Sequence, residues 1–599
     1  MPTLIKALTG GQLGWRPADD PLALAAATLY LPTRRACRLA RDGFLDALGT
    51  DAAILPRIVP IGDIDEDEIV FAAAASGDIA AEALALPPAL GALERRLLLT
   101  GLVQQWATGP KVRAKGGVPM VAQTPAAACA LAGDLARLID DMTTRAVSWD
   151  KLDGLVPESL DVFWQLTLQF LSIARDDWPA LLRERGFMEP AARRDALIKA
   201  EAARLARKTA APVIVAGSTG SIPATADLIV AVARLPHGAV VLPGLDTDLD
   251  EESWRLIGGK EDVGIPPAPG HPQFAMQALL ARLGITRDAV TCLAPARGRE
   301  RLISEALRPA AATDLWQRRA AEPGFAAETE IALRSVTVIE AATAEEEALA
   351  VAIALREAVE TGKTAALVTA DRALARRVKA ALERWCIAAE DSAGEALCDT
   401  AAGIFARLAA EAGLGELAPV PLLALLKHPR FRLGAGDTAR AVAALERAIL
   451  RGPRPRPGST GLARALDAFR AQLARYRRNE ATDLHPSDPR IALTDDELAA
   501  AADLVDGLAR ALEPLEGIGK DPRSLGDMAA RHRLVLAALS REGAHARAFA
   551  GGDGAELAEA LDEMAASPAA AALSIVPADY VELLSVVLAG RVVRTPPRA

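Results

Sequence analysis

PVIVAGSTGSIPATADLIVAVARLPHGAVVL, residues 212–242, holds two short β-branched runs, Pro212 to Ala216 and Ala239 to Leu242, around a helical stretch from Ala224 to Leu235. Strand, helix and strand at this spacing predict parallel pairing through a right-handed crossover. The same signals recur upstream. The run Ala26 to Leu31 (AATLYL) leads through Pro32 and Thr33 into an arginine-rich helical pattern from Arg34 to about Leu48. Thr33 suits the cap, because its hydroxyl can accept a free backbone N–H at the helix start. A further run, Ala53 to Ile61, carries Pro56 and Pro60 and ends in Gly62-Asp63-Ile64-Asp65. From 91 to 206 the pattern is helical almost throughout, with proline and glycine at the breaks. The simplest assembly is one α/β lobe made of residues 1–90 and 207–307, interrupted by a helical insertion at 91–206.

The second half repeats this order. After a connector at 308–333, a second α/β unit at 334–400 is expected: strand Val336 to Glu340, helix Glu345 to Val359, strand Ala365 to Thr369, helix Arg372 to Trp385. Thr343 with Glu346 has capping-box spacing, and Asp371 can cap the helix after it. Residues 401–599 read as a second helical insertion running to the last residue. Within it Arg451 to Pro457 (RGPRPRP) cannot be helical and is expected as an exposed arm. The fold class is therefore α/β with large helical insertions and two parallel-sheet lobes.

Composition narrows the chemistry. The 599-residue chain carries a net charge of −10, so bulk electrostatics do not draw it to nucleic acid, and any contact must come from a local basic surface. Aromatics make up only 4%, too few for gripping single strands by stacking on many rings. Five scattered cysteines (Cys37, Cys129, Cys292, Cys386, Cys398) and six dispersed histidines give no zinc, iron–sulfur or disulfide spacing. No run is long enough to span a membrane and the start lacks a signal-peptide layout, so a cytoplasmic protein is expected.

Lobes of this kind usually announce nucleotide chemistry in the loop after a strand. The nearest P-loop match, Gly362-Lys363-Thr364, has Glu357 where the first glycine belongs, and a helix rather than a strand leads into it. Gly362 reads as a helix-ending glycine. Asp246, Asp248 and Asp250 alternate like a calcium loop, but Glu251 and Ile257 stand where glycine and carboxylate are required, which leaves a solvated acidic loop.

Several phrases carry a family resemblance. Tyr30-Leu-Pro-Thr-Arg-Arg-Ala-Cys-Arg-Leu-Ala-Arg41, Leu55-Pro-Arg-Ile-Val-Pro-Ile-Gly-Asp-Ile-Asp-Glu66, Val215-Ala-Gly-Ser-Thr-Gly-Ser-Ile-Pro-Ala-Thr225 and Val241-Leu-Pro-Gly-Leu-Asp246 resemble alphaproteobacterial AddB. His271-Pro-Gln-Phe274 and Leu367-Val-Thr-Ala-Asp-Arg-Ala-Leu-Ala-Arg376 are similar too. The order lobe, insertion, lobe, insertion also resembles superfamily-one helicases of the UvrD type, which implies RecA-like lobes, the second incomplete. AddB is the nuclease-bearing partner of the AddA motor in a helicase–nuclease that processes DNA double-strand breaks for homologous recombination.

The resemblance implies a non-motor, helicase-like subunit that binds single- and double-stranded DNA ends and docks an AddA-type helicase. ATP and magnesium would belong to that partner, and an iron–sulfur cluster to a nuclease domain absent from this chain, so no cofactor is expected here. Measured against the family, the sequence starts late, with the strand that would precede a P-loop-like turn falling ahead of Met1, and stops before the nuclease. Two alternatives stand beside this one: a two-lobed sugar-nucleotide transferase, and a truncated product without a role. In the last case Val581 to Leu588 would form an exposed apolar surface.

Candidate DNA contacts follow. In UvrD-type helicases a threonine-containing turn after the second strand touches the single-strand backbone, and Thr33, Arg34 and Arg35 match that position. A helix N-terminus and guanidinium forks both favour phosphate. Ile214-Val-Ala-Gly-Ser218 matches the place of the magnesium-holding acid pair, and alanine, glycine and serine cannot hold the ion. The densest basic stretch adds Arg454, Arg456, Arg470, Arg477 and Arg478, flanked by Arg451, Arg464 and Arg475. The plainer reading of that stretch is a solvated helix face or a protein interface.

Overall fold

The computed structural model describes residues 1–15, 22–50, 52–61, 86–109, 121–152, 161–208, 211–259, 264–294, 298–433 and 438–594. The chain is mostly helical and divides into two compact units. One comprises Met1–Ala89, Asp140–Gly154 and Leu181–Glu340, and the other Leu90–Ile139, Leu155–Ala180 and Ala341–Ala599.

The first unit is built on a four-stranded parallel sheet. Its strands are β1 (Thr28–Leu31), β2 (Arg57–Pro60), β3 (Val213–Ala216) and β4 (Gly238–Val241), in spatial order β2-β1-β3-β4. Leu29 lies opposite Ile58 on one side and Ile214 on the other, and Val215 lies opposite Val240. Alternate residues feed opposite faces, as the two-residue period of a strand requires. Leu29, Leu31, Ile58 and Ile214 pack against Ile5 and Leu8 of α1 (Pro2–Thr9) and against Cys37, Ala40 and Phe44 of α2 (Arg34–Leu48). Tyr30, Val59, Val213 and Val215 pack on the other face. Their partners there are Ile198, Ala202 and Leu205 of α3 (Pro190–Lys208) and Leu228, Ile229 and Val232 of α4 (Pro223–Ala233). Helices on both faces explain why the strands are continuous apolar runs rather than alternating ones.

Both expected βαβ units are thus present, on opposite faces of the sheet. The first runs outward from β1 to β2 and the second outward from β3 to β4, so the winding reverses between β1 and β3. The rest of this unit closes around α5 (Glu251–Ile257). The stretch expected as a connector contains helices Trp316–Ala320 and Phe325–Leu333 and is tied to α5 by charge. Arg308, its side chain fully buried, donates to both carboxylate oxygens of Glu305 at 2.7 Å and to Asp250 and Ser253 at 2.5 Å. Glu305 also accepts from Arg319 at 2.9 Å. The acidic loop is correspondingly less solvated than expected. Asp246 accepts from the amides of Asp248 and Leu249, while Asp250 caps α5 through the Ser253 amide.

The second unit contains α6 (Ala344–Glu360) and α7 (Arg372–Glu383), packed through Ala348, Ala352, Val378, Ala381 and Leu382. Here the sequence reading needs correction. Neither 336–340, which belongs to the first unit, nor 365–369 forms a strand, and Val338 is 81% and Val368 94% exposed. A parallel-sheet lobe at 334–400 is therefore not formed by the described residues. Gly362 ends α6 as anticipated: at φ +70° it lets the Lys363 amide reach back to the Ala358 carbonyl at 2.8 Å.

The helices that follow include α8 (Ala401–Leu414), α9 (Gly458–Arg477), α10 (Asp495–Glu516), α11 (Leu525–Leu539), α12 (Gly551–Ala566) and α13 (Tyr580–Ala589), with short two- and three-stranded ladders between them. In α13, Tyr580, Leu583, Leu584, Val587 and Leu588 are buried. The apolar stretch 581–588 is core, not the open surface considered above. Among the described residues no helix is long and apolar enough to cross a membrane.

Candidate nucleic-acid interface

Two places gather the candidate residues, one in each unit. The first is the C-terminal edge of the sheet between β1 and β3, where the winding reverses. Ligands of open α/β sheets bind at such a switch point. The loop after β1 brings Pro32, Thr33, Arg34 and Arg35 to this edge. Thr33, extended at φ −144°, accepts the Ala36 amide at 3.1 Å and so fixes the start of α2. Thr33, Arg34 and Arg35 are all exposed.

The loop after β3, Gly217-Ser218-Thr219-Gly220, lies alongside. A β-carbon on Gly217 would sit 3.5 Å from the Pro32 ring, so the two loops are in van der Waals reach. Gly217 and Gly220 have φ of +79° and +65°, and Ser218 Oγ accepts the Gly220 amide at 3.3 Å. Main-chain N–H groups, a helix start and two guanidinium side chains thus share one rim, a combination that favours anions. The rim's β3 side offers Ala216, Gly217 and Ser218, which carry no carboxylate to hold a metal against a phosphate. The Gly62-Asp63-Ile64-Asp65 phrase, which follows β2 at the same edge in sequence, lies outside the described residues.

The second place is the proline–arginine segment, which is non-helical and exposed at every position of 451–457 except the half-buried Pro455. Pro453 and Pro455, with Ala448, Ile449, Ala465, Ala468, Phe469, Gln472 and Arg490, line an open cavity of about 160 Å³. Arg454 and Arg456, which alternate with those prolines, are exposed. On α9 the buried stripe runs Leu462, Leu466, Phe469 and Leu473, while Ala465, Ala468, Phe469 and Gln472 form the cavity face beside it. At about 100° per residue, Arg464 lies next to the cavity face and Arg470 and Arg477 lie beyond the buried stripe.

The expected basic tract is therefore split. Arg454, Arg456, Arg464 and Arg470 are exposed and have no ion-pair partner among the described residues. Arg477 instead binds Asp495 at 2.7 Å and the Leu493 carbonyl, tying the end of α9 to the start of α10. Arg478 pairs with Glu480 at 2.7 Å and holds that carboxyl below its usual range. Those two arginines have local structural partners. The N-terminus of α9 is likewise occupied, since the Ser459 amide donates to Glu516 at 2.6 Å.

Sequence reading missed Arg490. It is locked to Asp488 by three bonds of 2.7 to 3.0 Å, and its guanidinium lies 5.3 Å from the Phe469 ring centre. The cavity face runs along Ala465, Ala468, Phe469 and Gln472 at i, i+3, i+4, i+7 and shares Phe469 with the buried stripe, but that spacing gives no sign of Arg490. No protein-family model and no curated protein matches the chain.

Proposed function

We propose that the chain is a DNA-binding, non-motor component of a double-strand-break repair machine, similar in role to the helicase-like part of AddB. One observation carries this reading: the Thr33-capped start of α2, with Arg34 and Arg35, lies on the same rim as a β3 loop that offers Ala216, Gly217 and Ser218. Such a rim can hold a phosphate backbone, and its β3 side carries no carboxylate to drive phosphoryl transfer. Strand movement would then come from a docked AddA-type helicase, cleavage from a nuclease domain, and the compartment would be the cytoplasm.

The test is fluorescence anisotropy of single-stranded oligonucleotides across a salt series. Replacing both arginines (Arg34→Gln with Arg35→Gln) is expected to weaken binding and to reduce the slope of log affinity against log salt by about 1.4. Unchanged affinity and slope would remove the rim from the function. A melting-temperature rise with sugar nucleotides but not with oligonucleotides would favour a transferase instead.

A further inference from the structure

The cavity beneath the proline–arginine segment is too small for a cofactor-sized ligand, whose sites run to about 300–1,000 Å³. Its ≈160 Å³ suits one flat ring. Its walls also suit one: Pro453, Pro455 and a guanidinium at Arg490 that Asp488 holds in place and that itself lies over the buried Phe469 ring. A preset guanidinium plane stacks well on aromatic heterocycles. Arg454 and Arg456 alternate with its prolines and Arg464 precedes its Ala465, all three exposed and without an ion-pair partner among the described residues, in a chain whose net charge is −10. Most arginines of the second unit do have carboxylate partners, including Arg451, Arg477, Arg478 and Arg490 themselves. Unpaired cations beside a ring-sized slot call for an occupant with both a flat part and flanking anions.

We infer that this groove seats one unstacked base of a DNA single strand, with Arg454, Arg456 and Arg464 taking the phosphates on either side. The inference rests on the DNA-binding reading above and names the part of the strand that this surface takes. An acidic peptide would satisfy the charges but not the flat slot, so the base is favoured. Sequence preference is not built in, because proline and guanidinium faces stack any base.

The experiment compares two labelled oligomers of equal length, oligothymidylate and an abasic chain with the same phosphates, on the full chain. Wild type is expected to prefer thymidylate by about 5- to 100-fold, the equivalent of about 1–3 kcal/mol for one stacked base. Ala468→Phe fills the slot from an exposed position of its lining and is expected to abolish the preference. Replacing Arg454, Arg456 and Arg464 by glutamine should weaken both oligomers and lower the salt slope by about 2.

Equal affinity for the two oligomers in wild type, or a preference that survives Ala468→Phe, overturns the proposal. So does an acidic peptide that displaces neither oligomer from the Arg34 and Arg35 rim yet binds the groove in competition with thymidylate. Failure of wild type to bind either oligomer overturns the DNA-binding reading itself. Binding that needs Arg34 and Arg35 but shows no base preference removes the groove alone.

Discussion

The Tyr30 hydroxyl is buried against α3, where it donates to Glu201, whose carboxylate is gripped by Arg204 at 2.7 and 2.8 Å. Burial would raise the Glu201 carboxyl, but the bonds from Arg204 and Tyr30 outweigh it and hold the group below its usual range. Removing the hydroxyl leaves a buried carboxylate one donor short, and charge-assisted bonds of this kind contribute about 1.5–3 kcal/mol. Tyr30→Phe should lower the stability of the first unit by that amount in denaturant titrations. His532 makes a second case. It is wholly buried beside Tyr580, which approaches its Nδ1 at 3.0 Å, and burial pulls its pKa down to about 4. The unfolded chain then binds a proton that the folded one refuses. Stability is complete above about pH 6.5 and should fall by about 3 kcal/mol as the pH drops to 4. His532→Gln should remove most of that slope in melts of the full chain. Neither partnership was legible in the sequence, because Glu201 lies 171 residues from Tyr30 and Tyr580 lies 48 from His532. Thr33 was legible because its partner is three residues away.

At the scale of elements, the difference between what could be read and what could not has the same cause. Helices and their caps are local: α2 spans Arg34–Leu48 as expected, and Asp371 accepts the Ala373 amide at 2.7 Å to start α7. Strands need neighbours. Ala26 to Leu31 and Pro212 to Ala216 have parallel partners, whereas Val336 to Glu340 and Ala365 to Thr369 have equally good β-branched composition and none. Composition reports fitness for a sheet, not the presence of one. The groove was half legible: RGPRPRP was recognisably non-helical and exposed, but that Pro453 and Pro455 line a cavity depends on α9. Two predictions belong here. Thr33→Ala should destabilise α2 by about 1 kcal/mol and loosen the rim, read as weaker oligonucleotide binding alongside a lower melting temperature. Val368→Lys, at a side chain 94% exposed, should change stability by less than about 0.5 kcal/mol in denaturant titrations.

For the molecule as a whole, the feature with the widest reach is the charge cluster around Arg308. Burial would raise the Asp250 carboxyl, yet the Ser253 amide, Arg308 and the Ser253 hydroxyl together hold it at about 2. Its contribution is therefore complete above the ordinary aspartate pKa near 3.8 and is lost only as the pH falls toward 2. No pH between 5 and 8 protonates Asp250. Arg308→Met, which leaves Glu305 with Arg319 alone and takes a donor from Asp250, should cost about 3–5 kcal/mol in the first unit's unfolding. Beyond the cluster, Arg301 reaches Glu322 and Glu328, and Arg299 reaches the Ala332 carbonyl. The chain from Arg299 to Leu333 is laced to itself. A protease offered the native protein under mild conditions will find no easy bond in that stretch and will cut after it, so the fragment it releases should keep Trp316 and Phe325, and mass spectrometry of a brief digest can read that boundary directly.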